Sequence, residues 1–251
     1  MFDGARSGSE DRFYLEARDE AVLLHFPSRP LFFASDLAVR DEVLGAFDRC
    51  AQNDRIRTLV LIGFPEKAGS SEYDEFFELI TSPDGSKRIY RMLNVFNQFI
   101  MAIVNIDKYV IFVDSGRVIS QFFNVGLACD HRIVGDDLVV EKSYLRRGLI
   151  PKGGGAYFLS KRLGPSRAST LLLSDDDLTA VDALVLGLVD DVVPASELID
   201  VALERASEIA AKPASTVAGI KRLINWDRGI LQTFLAQENT EFERIIGTYH
   251  R

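Results

Sequence analysis

The chain predicts a layered α/β domain built from repeated strand–helix units, and three observations lead there. Its 251 residues are 47% hydrophobic and 26% charged, which is ample for one large core. Short apolar runs alternate with longer amphipathic stretches over the first two thirds, the pattern of strands and helices layered on a parallel sheet. From Ala156 onward the periodicity is helical.

Taken in order, Ala21–Phe26 (AVLLHF) reads as a strand and Leu37–Asn53 as the helix after it, with Leu37, Val43, Leu44 and Phe47 as its apolar stripe. Thr58–Gly63 (TLVLIG) is a buried strand. The next helix starts near Ser70 or Ser71, whose hydroxyls can cap free amides while Glu72, Asp74 and Glu75 favour the positive helix end. A long helix follows over Arg88–Asn105, then a strand at Tyr109–Val113. Leu127–Arg132 enters a fourth strand through a short helix, and Leu138–Val140 is a further short strand. The last third predicts helices over Ala156–Leu163, Ser166–Leu173, Ala180–Leu186, Ser196–Ala211, Pro213–Ile224 and Leu231–Ile246, punctuated by Gly164, Gly187 and Pro194.

A net charge of -8 and a pI near 5.0 argue against nucleic-acid or anionic-membrane partners, which need a broad basic field. Cys50 and Cys129 have no metal-ligand or redox spacing and read as small buried residues. The polar N-terminus has no apolar core like that of a signal peptide, and no apolar run is long enough for a bilayer. A cytoplasmic protein is expected, without metal or cofactor.

Several segments carry a resemblance. KYVIFVDSG, Lys108–Gly116, is similar to the crotonase pattern KPVIAAVNG, and LACDHRI continues it at that family's spacing. GLIPKGGG, Gly148–Gly155, resembles the family's G-x-x-P-x-x-G-G turn. Downstream, LGPSRASTLLLS and ALVLGLVDDVVP match the family's helix, variable loop and GLV-xx-VVP exit. Over roughly Val22 to Ile246 the chain is identified as a member of the crotonase (enoyl-CoA hydratase/isomerase) superfamily. The resemblance implies a ClpP/crotonase spiral of ββα units, with residues 1–195 as the core and 196–251 as a helical trimerisation region of the same domain. It also implies a homotrimer or hexamer and a small-molecule acyl-CoA or carbonyl substrate, the coenzyme A thioester being substrate rather than cofactor.

In that family two backbone amides hold the enolate oxygen of the thioester, where charge collects in the transition state. By resemblance the first lies at Ala68 or Gly69 in KAGSS and the second is the amide of Gln121, although Ser120, Gln121 and Phe122 replace the family's glycine run and Phe122 and Phe123 are expected to crowd the groove. The two glutamates of a hydratase fall at Asn124 and Tyr144, so ordinary hydration is not expected: an amide takes up no proton and a phenol of pKa about 10 is a poor base. Asn124 can position water, Tyr144 can donate a proton, and Glu141 is the candidate for a displaced carboxylate, its direction left open by the alternation with Val139 and Val140. Glu72, Glu75 and Glu78 share a helix face that reads as solvated. Arg29, Phe122, Arg147 and Gly148 are expected substrate contacts, with Arg40 and Arg146 nearby. His131, His25 and His250 read as structural, and a Ser115 or Ser120 nucleophile would need His131 within reach. Two function classes stay open: a divergent crotonase-type lyase, isomerase or hydrolase, and a catalytically silent homologue acting as a binding or partner subunit.

Overall fold

The structure, a computed structural model, describes residues 13–35, 37–64, 67–85 and 89–249, without the side chains of 34–35 and 37–39. The expectations for the Leu37 side chain and for His250 lie outside the described residues.

Among the described residues nine strands form: β1 (Tyr14–Arg18), β2 (Ala21–His25), β3 (Thr58–Ile62), β4 (Tyr109–Asp114), β5 (Arg117–Ile119), β6 (His131–Gly135), β7 (Val139–Glu141), β8 (Leu178–Thr179) and β9 (Asp191–Val193). The main sheet runs β1-β2-β3-β4-β6-β9, parallel except for the β1–β2 hairpin, and the small sheet runs β5-β7-β8. The α-helices that cover them are α1 (Pro30–Ser35), α2 (Leu37–Gln52), α3 (Ser70–Thr81), α4 (Ile89–Asn105), α5 (Ser120–Ala128), α6 (Ser143–Arg146), α7 (Gly155–Leu163), α8 (Pro165–Leu173), α9 (Ala180–Val185), α10 (Leu198–Ala210), α11 (Ala214–Ile224) and α12 (Arg228–Ile246).

The central strands are apolar throughout because both faces of the sheet are covered. Along β3, Leu59 and Leu61 point into the larger core shared with Phe47, Ile100 and Phe122. Val60 and Ile62 point the other way, onto Leu198, Ala202 and Ala206 of α10. Small side chains on α10 let it lie close to the strands, so this late helix completes the second layer of the sheet. Cys50 and Cys129 are free and buried.

The expected strands and helices are present, with β6 reached through an α5 that begins at Ser120. Six short elements, β1, α1, β5, α6, β8 and β9, have no counterpart in the periodicity. β1 is largely exposed and held by its register with β2, Tyr14 opposite His25, which no single-segment pattern encodes.

The carboxyl ends of β3 and β4 fix the neighbouring loop. Lys67 donates to Asp114 Oδ1 at 2.6 Å and to the carbonyls of Phe64 and Ser115, each at 2.8 Å. Both side chains are buried, and a Cβ on Gly63 would lie 2.2 Å from Asp114 Oδ1, so glycine is needed there. The pair ties the segment before Ala68–Ser70 to the end of β4.

Candidate active site

The loop at Lys67–Ser70 delivers the head of α3. The Ala68 amide donates to Ser28 O at 3.2 Å, so of the two candidates for the first oxyanion donor it is the one turned into the protein. Gly69, at φ 56° and ψ −135°, has a conformation that a side chain would strain. Among the described residues no N-cap side chain bonds the first-turn amides of α3 or α5, so these amides lie at positive helix ends, although in α3 those of Ser71 and Glu72 donate to the Ala68 and Gly69 carbonyls. Gln121, in the first turn of α5, is one of these, and its side chain is buried.

Glu141 connects the two helix heads. In the register of the small sheet it stands opposite Ile119, the residue before α5. Its Oε2 accepts from Ser70 Oγ at 2.8 Å, and a Cβ on Gly69 would lie 2.8 Å from the same oxygen. Oε1 accepts from Arg117 Nε at 2.6 Å, and Ser143 Oγ lies 3.0 Å from Ser70 Oγ. The carboxylate is 3% exposed while the Arg117 side chain is 61% exposed, so a solvent-reaching cation holds a buried base in place. The direction left open by alternation is thereby settled: Glu141 points at the Gly69 and Ser70 end of the loop.

Asn124 and Tyr144 sit on a different wall. With Phe123, Lys142, Leu171 and Leu178 they line an apolar cleft of about 30 Å³, room for about two water-sized groups. Asn124 Nδ2 donates to Lys152 O at 2.7 Å, and a Cβ on Gly155 would stand 2.4 Å from that nitrogen. Tyr144 donates its hydroxyl to Leu172 O at 2.8 Å, and burial pushes the phenol up to about 12. Phe123 lines the cleft, but Phe122 does not: its ring packs between Phe26 and Phe112, with centroids at 5.3 and 5.7 Å. The expected crowding by Phe122 is corrected on that ground, because its helix position faces the sheet.

Glu72 corrects another expectation. It is fully buried rather than solvated, and its Oε1 accepts from the amides of Leu31 and Phe32 at 2.8 and 2.9 Å, capping α1. Oε2 is buried without a partner among the described residues, and burial raises the carboxyl to about 7. Glu75, exposed, pairs with Arg29, whose guanidinium lies 4.5 Å from the Phe32 ring centroid.

The remaining predicted residues are dispersed. Arg147 donates to Asp74 Oδ1 at 2.7 Å, and Gly148, at φ 61°, has no room for a Cβ because Tyr249 Oη would be 2.6 Å away. Arg146 pairs with Asp177, and Arg40 with Asp41. His131 Nε2 lies 2.7 Å from Asp191 Oδ2 and His25 stacks on Tyr14 at 4.2 Å, so neither is paired with Ser115 or Ser120.

Sequence reasoning missed Ser70, Arg117 and Lys142 around the site. It also missed Glu238 of α12, which accepts from Lys152 Nζ at 2.9 Å and from the Gly153 and Gly154 amides at 3.1 Å each. A basic residue at the start of β5, the strand that pairs with β7, was a readable signal for Arg117; nothing local marks Glu238.

The enoyl-CoA hydratase/isomerase family profile matches residues 26–250. The probable enoyl-CoA hydratase EchA17 of Mycobacterium tuberculosis (strain ATCC 25618 / H37Rv) is 29% identical over 209 residues, 82% of this chain and 77% of that protein. Bacillaene synthase decarboxylase PksI of Bacillus subtilis (strain 168) is 28% identical over 184 residues, 72% and 70% of the two chains. The crystal structure of enoyl-CoA hydratase from Bacillus halodurans superposes with a TM-score of 0.81 at 20% identity, covering 93% of this chain and 94% of that one.

Proposed function

The chain belongs to the enoyl-CoA hydratase/isomerase family, and from that premise we propose a divergent, enolate-forming enzyme acting on an acyl-CoA or a related carbonyl compound, with Glu141 in place of the family's two glutamates. The observation that carries this reading is the buried Glu141 carboxylate, bonded to Ser70 at the head of α3 and registered beside the head of α5. Amides of Gly69, or of its neighbour Ser70, together with that of Gln121 would receive the enolate oxygen, where charge develops in the transition state. Glu141 would move the proton at the α-carbon and Arg117 would hold it oriented. Two carboxylates sharing a water, the hydratase arrangement, have no counterpart at Asn124 and Tyr144. One relative is named a decarboxylase, and loss of carbon dioxide from a carboxylate on the α-carbon of a thioester leaves its electron pair as an enolate that needs an oxyanion hole and a proton donor but no proton-abstracting pair.

A second reading, a catalytically silent subunit, is favoured by one observation: the side-chain donors of Asn124 and Tyr144 are both taken by backbone carbonyls in a cleft of about 30 Å³. In either reading the chain forms homotrimers or hexamers. The support is a run of exposed apolar residues from the end of α11 to the start of α12, where Leu223 and Trp226 are each 75% exposed and Ile224 and Ile230 accompany them.

Calorimetric titration with acetyl-CoA and crotonyl-CoA, beside a hydration assay, separates the readings. Binding heat without rapid hydration is the expected result. No heat at high protein concentration supports the silent subunit.

A further inference from the structure

Among the described residues four lysines bury their ammonium groups, and three of them face a carboxylate. Lys67 meets Asp114 at 2.6 Å, Lys152 meets Glu238 at 2.9 Å and Lys221 meets Asp130 at 2.6 Å. Lys142 is the exception. It is 6% exposed and its Nζ donates only to two backbone carbonyls, Leu171 O at 3.0 Å and Ser174 O at 2.9 Å. An ammonium has three protons, and among the described residues the third has no partner.

A buried cation is costly unless paired. Asp175, Asp176 and Asp177 follow Ser174, and their field favours the charged amine, whereas burial, the larger influence, disfavours it. None of the three forms an ion pair with Nζ among the described residues. Asp177 is already engaged by Arg146 at 3.1 Å and by the Lys142 backbone amide at 3.3 Å. Lys142 also lines the cleft beside Asn124 and Tyr144, whose other lining residues are apolar apart from Ser120. That space, about 30 Å³, suits a compact group rather than an extended acyl tail.

We infer that Lys142 supplies the counter-charge for a carboxylate carried on the acyl group, so that the site selects short thioesters bearing a second, free carboxylate. The inference rests on the reading of this chain as an enzyme of acyl thioesters and adds the substrate class. The incoming carboxylate takes the third ammonium proton and completes the pairing that the other three buried lysines have within the chain. The apolar walls strengthen that pair by excluding water, and a neutral acyl group of equal size leaves the ammonium unpaired.

The test compares malonyl-CoA with isovaleryl-CoA, which share the thioester and nearly the same bulk but differ in the free carboxylate. Calorimetric dissociation constants are measured for the wild type and for Lys142→Met and Lys142→Gln, with each variant's fold checked by circular dichroism. Malonyl-CoA is expected to bind the wild type at least tenfold more tightly, and the ratio should collapse to within about twofold in whichever variant is folded. A wild-type ratio near one, with both ligands bound, overturns the inference and leaves the enzyme reading standing. So does a preference that survives in a folded variant. Failure of both ligands to bind overturns the acyl-CoA reading, and the substrate class with it.

Discussion

The two walls of the candidate site use their polar groups in opposite ways. On the wall of α5 and the glycine turn, donors are closed onto the chain itself: Asn124 on Lys152 O, and Lys152 and the Gly153 and Gly154 amides on the Glu238 carboxylate. On the wall of β5 and β7, Glu141 is held by the side chains of Ser70 and Arg117 at two helix ends whose amides no described side chain caps. Closed networks fix a backbone; a carboxylate held only by side chains beside two helix heads is, in the proposed reading, the group that exchanges protons with a ligand. In the proposed reading, the positions of the family's two glutamates, Asn124 and Tyr144, have become structural, and the chemistry has moved to Glu141 at the end of β7.

The closed wall should break first in stability. Glu238→Ala leaves the Lys152 ammonium and two glycine amides buried without their acceptor, and a loss of about 3–5 kcal/mol is expected, read from urea denaturation midpoints. Asn124→Ala uncovers Lys152 O and opens a small void, with an expected loss of up to about 3 kcal/mol by the same measurement. An unchanged midpoint in either variant would show that this wall is not the rigid one.

A smaller effect sharpens the contrast through pH. Burial raises Glu72 to about 7 from its ordinary 4.5, so between those values the folded chain holds a proton that the unfolded chain has released. Its contribution to stability is therefore greatest below pH 4.5 and is lost as the pH rises through 7. In Glu72→Gln, which keeps an acceptor for the Leu31 and Phe32 amides, the loss between pH 5 and pH 8 should shrink by about 2 kcal/mol. An identical pH profile for the variant would mean that Glu72 is ionised throughout.

Much of the fold was legible because β2, β3 and β4 are near-continuous apolar runs and α4 and α10 carry clear helical periodicity. The parts that escaped were short or decided by partners far along the chain. β9 has three residues and exists through its pairing with β6, and α1 is capped by a carboxylate more than forty residues on. At the site, Glu141 was legible as a candidate but not in direction, which depends on the register of β7 against β5. Phe122 and Glu72 were misread for one reason: helical spacing says which residues share a face and not what that face meets.

Proton exchange at the α-carbon bears most directly on Glu141. Butyryl-CoA incubated with the wild type in deuterium oxide should lose its C2 proton signals in the NMR spectrum. Glu141→Gln should slow that exchange by about 10²-fold or more, whereas folded Asn124→Ala should retain it. Exchange that persists in Glu141→Gln, or that disappears in folded Asn124→Ala instead, would contradict the assignment of the chemistry to Glu141.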